Sequence, residues 1–301
     1  MWIIPLIIQA KRQIKRVLSL ISFSNGGLVD GNGDAIAPFQ TTWATLQTLG
    51  SGDVADGAAA YVYDKQCLFI WNDLAARWFL VGGRLEFDDF ATALIPSAKW
   101  EGLECWIKSG VGIGGAHMII RKIGSDYLWR YKSGRAVIDS INADILFTPT
   151  GANYTNETVV RTFVIPINNL KSIMQIGDFF EIRSVVARTA SATTFTRSFR
   201  LGTGGTVSDT FIEGVTTATG QLTSGEFNII RRNASDKVRA AGAQSANKWA
   251  GTSGSAPNAE VTVTSLDSAT SYLHLTLDQS ANTNESVALI DFQLHLVHAG
   301  G

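Results

Sequence analysis

In 271-SYLHLTLD-278, Leu273, Leu275 and Leu277 occupy every second position, with Tyr272, His274 and Thr276 in between. In 291-DFQLHLVH-298, Phe292, Leu294 and Leu296 alternate with Gln293, His295 and Val297. A repeat of two places apolar side chains on one side of an extended chain and polar ones on the other, which is the pattern of a half-buried strand. Comparable runs occur at 99–108, 116–123, 127–131, 136–147, 158–167, 178–188, 194–201, 209–215, 226–232 and 260–264. Together they make about a dozen strands between 88 and 301. Glycine-rich turns separate them, with 29 Gly against 6 Pro in the chain. The expected class is mainly β, with a C-terminal jelly-roll-like β-sandwich over 88–301.

Upstream, the stretch 61-YVYDKQCLFIWNDLAARWFLVGGRLEF-87 concentrates aromatic residues. YVYD, CLFIWN and RWFLVG read as three short strands, with polar turns at Asp64-Lys65 and Asn72-Asp73. Three strands of this length bury too little apolar area to stand alone. Residues 58–87 therefore read as a small β-module that associates with copies of itself, with Tyr61, Tyr63, Trp71 and Trp78 at the interface. Charged residues are only 17% of the chain, which points the same way, to surface that something covers. Residues 24–57 are rich in Gly, Asn, Asp and Ser and read as a linker with a helical turn near 42–49.

The N-terminal MWIIPLIIQAKRQIKRVLSLISF interleaves apolar and basic residues. Charge lies inside the apolar run rather than before it, unlike a secretory signal. Lys11, Arg12, Lys15 and Arg16 interrupt any span of about 18 apolar residues, so no membrane span is expected. Over 7–21 the pattern fits a helix, with Ile7, Ile14, Val17, Leu18 and Ile21 sharing one face. Such a face needs a cover: its own domain, another protein, or a membrane interface. The reading adopted is a docking helix over 1–23 that uses Trp2, Ile7, Ile8, Lys11, Arg12, Ile14, Lys15, Arg16 and Leu18.

The residues 61-YVYD-64, 70-IWN-72, 77-RW-78 and 82-GGR-84 resemble a small module of tailed-bacteriophage fibres and spikes. In that family the module sits between a virion-docking N-terminus and a distal β-domain, and it trimerises. The runs RTFVIPINN at 161–169, IGDFFEIRSVV at 176–186 and the segment 272–297 look like the terminal sandwich of such fibres. The resemblance implies a homotrimeric structural protein of the virion (tail, neck or head vertex). It would contact other virion proteins through its N-terminus and present the sandwich for attachment to the host surface. The basic apolar N-terminal helix matches no docking domain of that family. A polysaccharide-degrading spike and a cellular carbohydrate-binding module are the alternatives.

No enzyme, cofactor or metal is expected. GVGIGG at 110–115 fits G-x-G-x-x-G formally, but a further strand follows it where a dinucleotide fold needs a helix, so a hairpin turn is expected. Glycoside hydrolysis needs two carboxylates across a cleft. Asp88/Asp89 read as a solvated collar, while Glu101/Glu104 and Asp178/Glu181 are spaced three apart and fall on opposite faces of a strand. His274 and His295 share a face if the last two strands pair, but a third ligand is lacking. GTSGS at 251–255 is not a nucleophile elbow. Cys67 and Cys105 sit in apolar runs and read as buried free thiols. With a net charge of -1, nucleic acid is not an expected partner. The candidate receptor contact, to a host-surface polysaccharide, is the small-residue loop 243–259, through Trp249 and the adjacent Lys248.

Overall fold

The computed structural model describes residues 22–24, 27–29, 37–147, 157–165, 174–189, 194–217, 223–240, 248–250, 260–266, 268–279 and 286–299. The expected docking residues Trp2, Ile7, Ile8, Lys11, Arg12, Ile14, Lys15, Arg16 and Leu18 lie outside them. The protein is mainly β and forms several sheets. Two compact units are present: one contains the described residues up to Leu85 plus Ala98–Leu103, the other Glu86–Ser97 and everything from Glu104.

In the first unit, β1 (Ser22–Ser24) and β2 (Gly27–Val29) form an antiparallel hairpin. Ser22 and Phe23 are thus strand, and the expected helix over 1–23 does not extend through them. Next come β3 (Phe39–Thr41), the helix α1 (Trp43–Thr48), β4 (Ala59–Val62), β5 (Cys67–Asn72) and β6 (Arg77–Gly82). β3 runs parallel to β4, and β4, β5 and β6 form an antiparallel meander. The stretch read as a linker therefore supplies two strands, β2 and β3, and a helix to this unit. α1 begins where Thr42 accepts from Thr45 N at 3.1 Å and Asp64 Oδ1 accepts from Trp43 N at 2.8 Å.

The core of the unit is aromatic. Trp43 on α1 lies 5.8 Å from Phe69 and 5.2 Å from Trp100, centroid to centroid, and Trp71 stands edge-on to Trp78 at 5.3 Å. Such tilted pairs let the positive edge of one ring meet the negative face of the next. Trp100 arrives from a 3-10 turn at Ala98–Trp100, so the strand expected over 99–108 is corrected. Gly102, at φ +82°, breaks the extended chain there, and the strand starts only at Glu104.

The second unit opens with β7 (Glu86–Phe87), β8 (Glu104–Ile107), β9 (Ala116–Ile123) and β10 (Asp126–Tyr131), in the order β10-β9-β8-β7. β8 and β9 are antiparallel neighbours joined through GVGIGG, which is a hairpin connection. The chain continues through β11 (Arg135–Ser140), β12 (Ile145–Phe147), β13 (Thr158–Ile165), β14 (Phe179–Arg188), β15 (Phe195–Gly202) and β16 (Thr210–Thr217). It ends with β17 (Thr223–Ala234), β18 (Lys237–Ala240), β19 (Lys248–Ala250), β20 (Glu260–Thr262), β21 (Ser271–Gln279) and β22 (Val287–Val297). The strand expected over 136–147 is two strands, β11 and β12, both paired with β22.

Among the described residues two antiparallel sheets form the sandwich. The larger runs β11-β22-β14-β17-β18-β20, with β12 also on β22; the smaller runs β13-β21-β15-β16-β19. Alternate residues of β14, from Phe180 to Arg188, are buried, and Leu273, Leu275 and Leu277 of β21 are buried as the alternation requires. Arg197 of the smaller sheet reaches Ser184 O of the larger at 3.2 Å, so the buried faces meet. The last two strands belong to different sheets, so the condition under which His274 and His295 would share a face is not met.

Gly83 has φ +84°, and a Cβ there would lie 2.4 Å from Gln66 O. Gly83→Ala is expected to destabilise the first unit by about 3 kcal/mol or more, since backbone strain adds to a clash with a carbonyl that cannot move aside. Gly57→Ala, at φ +78° with nothing within 4 Å, should lose only the strain, about 1–2 kcal/mol. Urea unfolding midpoints of the two variants test the difference.

Candidate functional site

The residues singled out in the aromatic module separate into two groups. Trp71 and Trp78 are each 1% exposed, covered by their own chain. The expectation that they form a chain-to-chain interface is corrected: Trp43 and Trp100, both from outside 58–87, complete the core in which the module's rings are buried. Tyr61 and Tyr63 are 37% and 53% exposed; Tyr61 points to the opposite face of β4 from buried Val62, and Tyr63 follows in the turn after the strand. Tyr61 lies directly opposite half-buried Leu68 of β5, so an apolar and phenolic strip faces outward.

The polar members of the module brace it. Asp64 caps α1, as described above. Asn72 Oδ1 accepts from Ala75 N at 2.7 Å and shapes the β5–β6 turn. Arg77 Nη1 donates to Glu101 O at 3.0 Å, and its guanidinium lies over the Phe79 ring at 4.8 Å. Cys67 and Cys105 are buried free thiols, and burial pushes the Cys105 thiol well above its ordinary pKa.

In the second unit two clusters bring buried ionisable groups together. Asp178, just before β14, takes both guanidinium nitrogens of Arg130, Nη1 at 2.5 Å and Nη2 at 2.7 Å. It also accepts from Gln175 N, Ala299 N and His298 Nδ1 at 2.7, 2.8 and 3.1 Å. The His298 ring stacks on Tyr131 at 4.8 Å, and its buried Nε2 has no hydrogen-bond partner among the described residues. Burial alone would raise the Asp178 pKa, but the hydrogen bonds from His298, Arg130 and Gln175 and the Arg130 charge outweigh it and hold the carboxyl below its ordinary range. Burial lowers the His298 pKa, the Asp178 hydrogen bond opposes that, and the Arg130 charge adds to the lowering.

The second cluster lies on the outer side of the smaller sheet. His274 Nε2 meets Asp209 Oδ2 at 3.1 Å, and His274 Nδ1 meets the Thr162 hydroxyl at 2.9 Å. Asp209 also accepts from Gly204 N and Gly205 N, while Arg200 clamps Glu157 with two nitrogens. Sequence reading missed both clusters, because their members lie up to 121 residues apart. Among the described residues no group of three or more His, Cys, Asp or Glu side chains is placed to hold a metal ion.

The carboxylates of the Asp88/Asp89 and Glu101/Glu104 pairs have separate places. Asp89 caps a 3-10 turn through Thr92 N, Asp88 pairs with Lys108, Glu101 sits in the turn before Gly102, and Glu104 pairs with Lys132. Residues 248–250, inside the expected loop 243–259, form edge strand β19 against β16, with Trp249 opposite Gly214 and Lys248 opposite Val215. Their backbone is therefore held by the smaller sheet rather than free; 243–247 and 251–259 lie outside the described residues. No helix among the described residues is long and apolar enough to cross a membrane.

No protein family matches the chain, and no curated protein does. Among solved structures, the CBM2 module of the evolved Dit of Lactobacillus casei BL23 phage J-1 is similar at 11% identity and a TM-score of 0.25, over 46% of this chain and 70% of that one. A TM-score of 0.25 carries no argument about this chain.

The His298 shift has a sign. Because the folded state holds this imidazole neutral, the unfolded chain binds more protons once the pH drops below about 6.5. Stability from this group is complete above that value and falls as the pH falls below it. Asp178 acts in the same direction at lower pH: its contribution is present above about 3.8 and is lost as the pH falls through its depressed folded value. Urea midpoints measured from pH 8 to pH 5 should decline in the wild type and decline less in His298→Gln.

Proposed function

We propose that this chain is a structural virion protein, a fibre or spike of a tailed phage that presents its β-sandwich for attachment to a host surface. The observation that supports this reading is the role of the residues carrying the resemblance. Asp64, Asn72, Arg77, the two tryptophans and Gly83 are the capping, turn-forming, bracing and packing residues of the first unit. A motif made of such residues specifies a scaffold rather than a reaction. The reading includes no catalysis; the carboxylates Asp178, Glu157 and Asp209 are tied to Arg130, Arg200 and His274 and serve the fold.

In this proposal the N-terminal segment is a helix docked on another virion protein, the sandwich is jelly-roll-like, and the assembly is a homotrimer. The outward strip of Tyr61 and Tyr63 is the surface that a second copy covers, because tyrosines offer a large apolar ring and a hydroxyl that stays hydrogen-bonded at an interface. Closed cyclic symmetry is the usual arrangement for such a self-association surface. Sedimentation of the full chain should give a trimer, and Tyr61→Lys with Tyr63→Lys should give a folded monomer; a monomeric wild type overturns the assembly.

The location is tested separately. Particles carrying a chain that starts at Ser24 should lack the appendage in electron micrographs while the truncated protein remains folded. Normal incorporation of that protein would move the anchor elsewhere.

A further inference from the structure

The larger sheet of the sandwich has one face turned to solvent. On β17, Phe227, Ile229 and Arg231 point outward while Asn228, Ile230 and Arg232 are buried. Phe227 is 51% exposed and lies directly opposite Arg183 of β14, itself well exposed. Arg231 lies directly opposite Arg239 of β18, and both are exposed. Like charges facing each other across two strands destabilise the pair unless a counter-charge sits with them.

One carboxylate, Glu260, stands beside this pair on the Arg239 side; the ion pairs of the face leave Arg231 without one. Asp291 is taken by Arg183 at 3.0 Å, Glu181 by Arg135 at 3.5 Å, and Glu260 by Lys237 at 2.9 Å. Glu260 stands opposite Arg239 and feels its charge, but its hydrogen bonds go to Lys237 and Asn233. Among the described residues Arg231 has no ion-pair partner. Five cationic side chains thus meet three carboxylates on one face of a chain whose net charge is -1.

We propose that this open face binds an anionic glycan, with the Arg231–Arg239 pair on an acid group of the sugar and the Phe227 ring under an adjacent sugar face. Two adjacent guanidiniums present planar donor forks that match a carboxylate. Phe227 and Arg231 are four residues apart on one strand, about 13 Å, so an extended glycan of a few units reaches both. The interleaved carboxylates decide between polyanions. They repel a dense polyphosphate, whose binding depends on many unopposed cations. A glycan with a spaced acid group instead brings hydroxyls that the carboxylates accept. The inference deepens the host-attachment reading and moves the contact from the 243–259 loop to a sheet face.

The test uses the full chain and titrates polygalacturonate, dextran and double-stranded DNA by calorimetry at low and high salt. Polygalacturonate should bind, with affinity falling as salt rises, and dextran should bind far more weakly. Arg231→Gln with Arg239→Gln should weaken polygalacturonate binding by about tenfold or more, and Phe227→Ala should weaken it too, with unfolding midpoints unchanged. Equal binding of dextran, wild-type affinity in the double variant, or tighter binding of DNA overturns the inference. Each of those results leaves the virion reading intact, because that reading stands or falls on incorporation into particles.

Discussion

The second unit turns on one buried carboxylate. Asp178 accepts hydrogen bonds from Arg130 on the four-stranded sheet, from Gln175 in its own turn, and from His298 and Ala299 after the last strand. A charge removed from water is tolerated only when nearly every lone pair finds a donor. That requirement fixes where three distant stretches of chain must meet. The net contribution of such a pair to stability is small, since desolvation offsets most of the attraction, but removing one partner costs about 3–5 kcal/mol. The cluster therefore acts mainly by excluding other arrangements of the four-stranded sheet on the sandwich.

The same device recurs at the smaller sheet, where Asp209, His274 and Thr162 form a chain of hydrogen bonds, and Gly202 and Gly204 leave space for the carboxylate. The sandwich interior is also partly polar: Arg197 and Ser184 are buried between the sheets. The first unit is held differently. Its core is a set of tilted rings, Trp43, Phe69, Trp71, Trp78 and Trp100, and dispersion with apolar burial carries it. Both solutions leave the outward faces free for contacts. These are a tyrosine strip on the first unit and an arginine- and phenylalanine-bearing face on the larger sheet of the second.

Much of the local structure was legible in the sequence. Two strands of the aromatic module, the helical turn after residue 42 and the alternation of the last two strands appear where the pattern placed them, and the first module strand lies two residues earlier. Each depends on neighbours within a few residues. The expectation for Trp71 and Trp78 failed for the opposite reason. Counting the apolar area of 58–87 alone left the rings uncovered, whereas Trp43 and Trp100 come from outside that stretch. The break at Gly102 was hidden because a glycine inside an alternating run reads equally as a strand residue or a turn.

Most strand positions, and the inward or outward sense of side chains in the alternating strands, were determined by the sequence itself, because a period of two is a property of adjacent residues. Strand partners were decided only by the tertiary structure. The alternation of β21 and β22 is equally satisfied by pairing them or by placing them in different sheets. Which outward residues become neighbours follows from that choice. Phe227 meets Arg183 through a register between distant stretches of chain, whereas Arg231 meets Arg239 across the local β17–β18 hairpin.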